Sequence, residues 1–166
     1  MSSQDKNLSD LTYEGAELAS DFEISIVCAE WNGEVTERLL DGAKHALSKY
    51  RIPEKNISII RVPGSFELPL GAQMILESQD PKPHAVICLG AVIRGETSHF
   101  DYVCQAVSNG IKDVGLKYNV PVVFGVLTDD NKAQSLARSG GELGNKGEEA
   151  AVTGVKMALL QRRLRI

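Results

Sequence analysis

Six consecutive residues, Arg94-Gly95-Glu96-Thr97-Ser98-His99, bring together a guanidinium, a carboxylate, two hydroxyls and an imidazole. An imidazole titrates near neutral pH and can move protons there, while a guanidinium and backbone N–H groups can hold a phosphate or a carboxylate. The run before them, Ala85 to Ile93, is continuously apolar and too short for a helix, the pattern of a parallel strand buried on both faces. After them Phe100, Val103, Val107, Ile111 and Val114 recur at helical spacing. The segment reads as strand, short loop, helix start, so the free N–H groups of that helix would face a crevice suited to an anion. Thr97 and Ser98 fit two roles there, as part of an anion site or as caps of the helix. Neither GxxxxGK[ST] nor GxGxxG occurs, and nucleotide binding is not indicated.

The elements that would position this segment repeat along the chain. A strand from Glu23 to Ala29 precedes a helix from about Glu34 to Tyr50, with Val35, Leu39, Ala43, Ala46, Leu47 and Tyr50 on one face. A second strand, Ile57 to Val62, leads through Pro63-Gly64-Ser65-Phe66-Glu67 into a helix ending near Gln79, whose Pro69 is tolerable only in a first turn. A fourth strand, Val120 to Leu127, precedes a short helix ended by Gly140-Gly141 and a last helix from about Lys146 to Arg163. This alternation predicts a parallel sheet with helices on both faces. The first 22 residues are polar and aperiodic, with Leu8, Leu11 and Tyr13 among the few sizeable apolar side chains, and read as an arm that is either disordered or docked.

In such a sheet, ligands bind beyond the carboxyl ends of the strands. Standing there are Trp31 and Asn32 after the first strand, Ser65, Phe66 and Glu67 after the second, Ala91 to His99 at the third, and Phe124 and Thr128 at the fourth. Each aromatic alone fits a core role, but three at one rim point to a planar, largely apolar ligand.

The 166 residues carry a net charge of -4, with Lys and Arg scattered among acids, so no basic stripe marks a DNA or RNA partner. One domain is expected, with no membrane-spanning run and no signal peptide, and hence a cytoplasmic location. Cys28, Cys88 and Cys104 form no CxxC and read as reduced core cysteines, although Cys104, one turn past His99, is also open to a nucleophilic reading. His45 and His84 have no metal-ligand spacing, and no metal is expected.

The strings VPGSFELP, GAVIRGETSHFDYV, PVVFGVLT and LGNKGEEAA, in this order, resemble the 6,7-dimethyl-8-ribityllumazine synthase family of riboflavin biosynthesis. The resemblance runs from about Ile24 to the C-terminus. It implies a flavodoxin-like three-layer α/β domain, a four-stranded parallel sheet with helices on both faces, over residues 23–166 after an N-terminal arm of residues 1–22. It further implies condensation of 5-amino-6-(D-ribitylamino)uracil with 3,4-dihydroxy-2-butanone 4-phosphate to the lumazine, phosphate and water, with no cofactor. A homo-oligomer is implied, either a pentamer or a 60-subunit icosahedral capsid, with active sites between adjacent subunits and riboflavin synthase as a candidate partner. The stretch RSGGELGNK has no extra residues relative to the family's RAGTKAGNK form, a length that shell-forming members keep.

By this resemblance Trp31 stacks on the pyrimidine ring, with Asn32 beside it. Ser65, Phe66 and Glu67 match the turn that contacts pyrimidine and ribityl chain, and Ala91, Val92 and Ile93 line the ring pocket. Glu96 and Thr97 match the phosphate-side turn, and His99 the proton-transferring histidine. Phe124, Arg138 and Lys146 would come from a neighbouring subunit, Phe124 over the ring and the two cations at the phosphate. Arg138, rather than Arg94, is thus the implied phosphate ligand.

Two positions depart from the pattern. Trp31 stands where the family often has Phe, and its larger ring suits a three-ring flavin as well as the substrate, which predicts riboflavin binding. Glu96 puts an acid at the phosphate turn, so its side chain is expected to point away and leave only its N–H for the anion. Alternative readings are a lumazine-dismutating riboflavin synthase of the related pentameric type, and a flavin-binding or shell-forming container without turnover. Glu67, His99, Arg138 and Lys146 argue against the container.

Overall fold

A computed structural model of the chain describes Tyr13 and residues 15–165. Strands β1 (Ile24–Ala29), β2 (Ile57–Val62), β3 (Ala85–Ile93) and β4 (Val122–Asp129) form one parallel sheet in the order β2-β1-β3-β4. Around it lie α1 (Ala16–Ala19), α2 (Gly33–Lys49), α3 (Leu68–Ser78), α4 (His99–Tyr118), α5 (Lys132–Arg138) and α6 (Lys146–Leu164). A small antiparallel hairpin, β5 (Ser139–Gly141) with β6 (Gly144–Asn145), joins α5 to α6.

Side-chain alternation along the strands divides the core in two. Ile24, Ile26 and Cys28 of β1 and Ala85, Ile87 and Leu89 of β3 face α2 and α6, whereas Val27, Ala29, Val86 and Cys88 face α3 and α4. Both central strands are covered on both sides, which is why they read as unbroken apolar runs. The three layers are those of a flavodoxin-like α/β domain.

Strand order reverses between β1 and β3: the chain leaves β1 outward to β2, then crosses back over β1 to place β3 on its other side. The loops leaving β1 and β3 part to opposite faces there, opening a crevice at the carboxyl ends of the sheet. The sheet thus fixes where a ligand can enter.

Helix α6 is set with unusual closeness against α2. Asn145 accepts from the backbone N–H groups of Gly147 (2.8 Å) and Glu148 (3.4 Å) through its side-chain oxygen, capping α6, and donates its amide to the carbonyl of Arg38 in α2 (2.8 Å). At Gly147 a β-carbon would overlap the carbonyl of Leu39, so only glycine lets the two helices meet.

The sheet elements match the expected ones closely, with three differences. Strand β4 begins at Val122 and runs on to Asp129, because Pro121 has no N–H to give while Thr128 and Asp129 pair in register with Val92 and Ile93. The β5–β6 hairpin falls where a helix end and a gap were expected; with strands of three and two residues it carries no alternation to read. Helix α4 starts at His99, and the Ser98 side chain makes no capping bond; Thr97 Oγ1 instead accepts from the His99 N–H at 3.4 Å.

Leu8 and Leu11 of the expected arm lie outside the described residues. Its described end packs on the domain: Ala19 and Phe22 are fully buried, and Arg162 of α6 stacks over the Phe22 ring at 4.2 Å while pairing with Asp21. Among the described residues no helix is long and apolar enough to cross a membrane. Cys28 and Cys88 are buried and Cys104 only half-buried, so the reading of all three as core residues holds for two. Burial pushes the Cys88 thiol up to about 12.

Candidate functional site

The strand ends are tied to one another by hydrogen bonds that set the rim of the crevice. The Glu30 N–H donates to the Val62 carbonyl (2.8 Å) and the Trp31 N–H to the Pro63 carbonyl (3.0 Å), joining the exits of β1 and β2. Asn32 joins β1 to β3: it adopts a left-handed conformation (φ 62°) and donates its side-chain amide to the carbonyl of Ala91 at 2.9 Å. The Arg94 N–H donates to the Asp129 carbonyl at 2.9 Å, joining β3 to β4.

On this rim Trp31 is 74% exposed and Phe66 is exposed, so both rings stand clear of the core. Ser65 and Glu67 form a 3-10 turn with Phe66. The Ser65 hydroxyl is buried with no hydrogen-bond partner among the described residues, turned against β3 at Gly90, where a β-carbon would collide with it. Glu67 is half-buried, its carboxylate close to Gly64. Ala91 is buried and Val92 and Ile93 are partly so, and from Arg94 the chain emerges into solvent. Glu96, Thr97, Ser98 and His99 are all exposed.

Arg94 itself is fully engaged. Its guanidinium donates to both oxygens of Asp101 (3.1 and 3.4 Å) and to Asp130 (3.1 Å) and lies 4.0 Å over the Phe100 ring. The hydrogen bonds to Asp101 and then Asp130 raise its pKa, fixing the positive charge. Arg94 therefore staples the turn Gly95–His99 to the loop after β4 and is not free for an anion.

Phe124, Arg138 and Lys146 lie elsewhere. They line a cavity of about 1070 Å³ that runs along β4, the edge strand, between α4 and α6; Trp31, Phe66, Glu67 and His99 do not line it. Phe124 is 40% exposed in this groove. Lys146 pairs with Glu149 at 2.7 Å, and Arg138 faces Asp129 at 3.8 Å. One chain thus carries two separate groups: an aromatic and hydroxyl-bearing rim with His99, and a cationic groove with Phe124.

Sequence reasoning did not single out Asp129 or Ser135. Both are buried polar residues, and Asp129 lies beyond Leu127, where the expected strand ended, so nothing in the sequence pattern marked it as buried.

The fold and the rim define a flavodoxin-like α/β domain with its candidate site at the strand-order reversal. The profile of the 6,7-dimethyl-8-ribityllumazine synthase family matches residues 21–162. Proteins named 6,7-dimethyl-8-ribityllumazine synthase are similar along nearly the whole chain. That of Cytophaga hutchinsonii is 55% identical over 157 residues, covering 95% of this chain and 97% of that protein. That of Parabacteroides distasonis is 49% identical over 152 residues (92% and 94%), and that of Flavobacterium johnsoniae 46% identical over 166 residues (100% and 86%). The chain belongs to the 6,7-dimethyl-8-ribityllumazine synthase family.

Proposed function

We infer that this chain is a transferase of riboflavin biosynthesis that condenses 5-amino-6-(D-ribitylamino)uracil with 3,4-dihydroxy-2-butanone 4-phosphate, releasing 6,7-dimethyl-8-ribityllumazine, phosphate and water. The observation that carries this is the family match over residues 21–162, which spans every element of the site. Mixing the purified chain with both substrates tests it: lumazine fluorescence appears only when both are present. No fluorescence, or riboflavin formed from lumazine alone, would overturn it.

The residue roles proposed are those that the family resemblance implies, matched to the steps of the reaction. The uracil amine attacks the ketone to give a carbinolamine and then an imine, steps that need proton transfers rather than a strong nucleophile. His99, at the start of α4 and open to solvent, is the proton carrier. Trp31 stacks on the ring, with Asn32 and the backbone of Ala91, Val92 and Ile93 along its edge, while the turn Ser65-Phe66-Glu67 contacts the pyrimidine and the ribityl chain, Glu67 accepting from the ribityl hydroxyls. Phosphate sits by Glu96 and Thr97 and departs against Arg138 and Lys146, whose charges stabilise the dianion.

The separation of the two residue groups supports an assembled enzyme. Phe124, Arg138 and Lys146 line a groove on the sheet edge, apart from His99, so a second copy seated on that edge would bring one chain's cations to the other's rim. Leu116, Met157 and Leu164 beside the groove are exposed apolar residues of the kind an interface covers. A pentamer is the assembly proposed, and the 60-subunit shell its further form, enclosing riboflavin synthase. Sedimentation resolves the two, and a monomeric active enzyme would end both. The cytoplasm is the proposed location, and residues 1–22 the proposed arm.

A further inference from the structure

Asp129 closes β4 with its side chain only 8% exposed, and a carboxylate withdrawn from water in this way must be met by donors or charge. One oxygen accepts from the Ser135 hydroxyl at 2.8 Å, and Ser135, in α5, is completely buried. The other oxygen faces Arg138 Nε at 3.8 Å. Arg138 Nη1 donates to the Gln134 carbonyl at 3.3 Å, which leaves Nη2 without a partner among the described residues, on a side chain that is 25% exposed in the cationic groove.

We propose that Asp129, anchored by Ser135, is a positioning residue for Arg138, holding the inner edge of the guanidinium so that Nη2 is presented to the substrate phosphate. The proposal rests on the reading of Arg138 as a phosphate ligand. An arginine loses several freely rotating torsions when it binds an anion, and a fixed counter-charge at Nε removes that ordering from the binding step. Because Ser135 and Asp129 bracket the start of α5, the helix that carries Arg138 is locked to the strand that carries its partner. The backbone of Asp129 has a separate task, since its carbonyl accepts from the Arg94 N–H. Changing its side chain leaves that bond in place.

The test measures KM for each substrate, kcat and thermal stability in the full chain. Asp129→Asn is expected to raise KM for the phosphorylated ketone about tenfold, the scale of one lost charged contact, with KM for the uracil unchanged. Ser135→Ala, which keeps the carboxylate and removes one hydroxyl, raises the same KM by about threefold and carries the test if Asp129→Asn does not fold. The double variant Asp129→Asn with Arg138→Ala is no worse than Arg138→Ala alone, because the carboxylate acts through the guanidinium. A lower KM for the phosphorylated ketone in Asp129→Asn would show that Asp129 only repels the anion, and a parallel rise for both substrates would show general damage; either overturns the proposal. If Arg138→Ala leaves that KM unchanged, the phosphate reading of Arg138 falls first. If Arg138→Ala raises it and both Asp129→Asn and Ser135→Ala do not, only the positioning role falls.

Discussion

The side-chain amide of Asn32 donates to the carbonyl of Ala91 at 2.9 Å, spanning the point where the strand order reverses. The bond fixes the spacing between the turn that carries Trp31 and the strand that leads to His99. Asn32 also has φ 62°, a left-handed conformation that asparagine tolerates better than most residues. Asn32→Ala therefore loses both the bond and the favoured conformation, and about 1–3 kcal/mol of unfolding free energy should go with them, measured by denaturant titration. Asn32→Gly keeps the conformation and loses only the bond, so it should be the milder change, with KM for the uracil raised in both. Equal stability of all three proteins would deny the bond any role.

Much of this arrangement was legible in the residues. Ala85 to Ile93 reads as a doubly buried strand because it is one, and its bounds are those of β3. Trp31 and the Ser65-Phe66-Glu67 turn stand at strand ends because strand length alone puts them there. The division between the rim and the groove could be drawn only through family resemblance: nothing in the spacing of Phe124, Arg138 and Lys146 separates them from His99. Asp129 was hidden for another reason. A buried acid is legible only through its partners, and Ser135 and Arg138 meet it through the turn of α5 rather than by any sequence period.

On the proposed mechanism His99 would carry protons between groups that already react with each other once held together, which leaves proximity as the enzyme's main contribution. His99→Ala should therefore lower kcat by about 10 to 10²-fold, the lower end of general acid–base effects, with KM for both substrates little changed. Single-turnover rates check this. A loss well beyond that range would mean that His99 also orients a substrate.

Trp31 is the chain's single tryptophan and is 74% exposed, so its fluorescence reports directly on what stacks there. Riboflavin at micromolar concentration should quench that emission, and Trp31→Ala should abolish flavin binding while leaving the fold intact. Unquenched emission through the titration would rule out flavin stacking at this position.

The sequence LGNKGEEAA looks like a catalytic string because of its lysine, yet its second glycine is there for packing. A β-carbon at Gly147 would overlap the Leu39 carbonyl, which is backbone and cannot turn aside. Gly147→Ala must push α6 away from α2, and overpacking of this kind should remove about 3 kcal/mol or more of stability. Lys146, one residue earlier, would move with it, so activity should fall along with the melting temperature. A variant with native stability would mean that α6 can shift without strain.

His84 stacks on Phe22 with ring centroids 4.5 Å apart and accepts the Glu23 N–H at Nδ1 (3.0 Å), while Arg162 lies 3.5 Å from Nε2. Burial first, and then the Arg162 charge, lower its pKa from the ordinary 6.5, with Asp21 and Glu23 pulling weakly the other way. A proton on Nδ1 would also cancel the Glu23 bond. The unfolded chain takes up that proton as pH falls past 6.5 and the folded chain resists it, so the contribution is fully present above 6.5 and is lost as pH falls through the lower folded value. Melting temperature should therefore drop between about pH 7.5 and about pH 5.5 by more in the native chain than in His84→Gln, which cannot take up the proton. The carboxylates titrate in both proteins and cancel in the comparison, so parallel melting curves across that range would remove His84 from the pH response of the α6 junction.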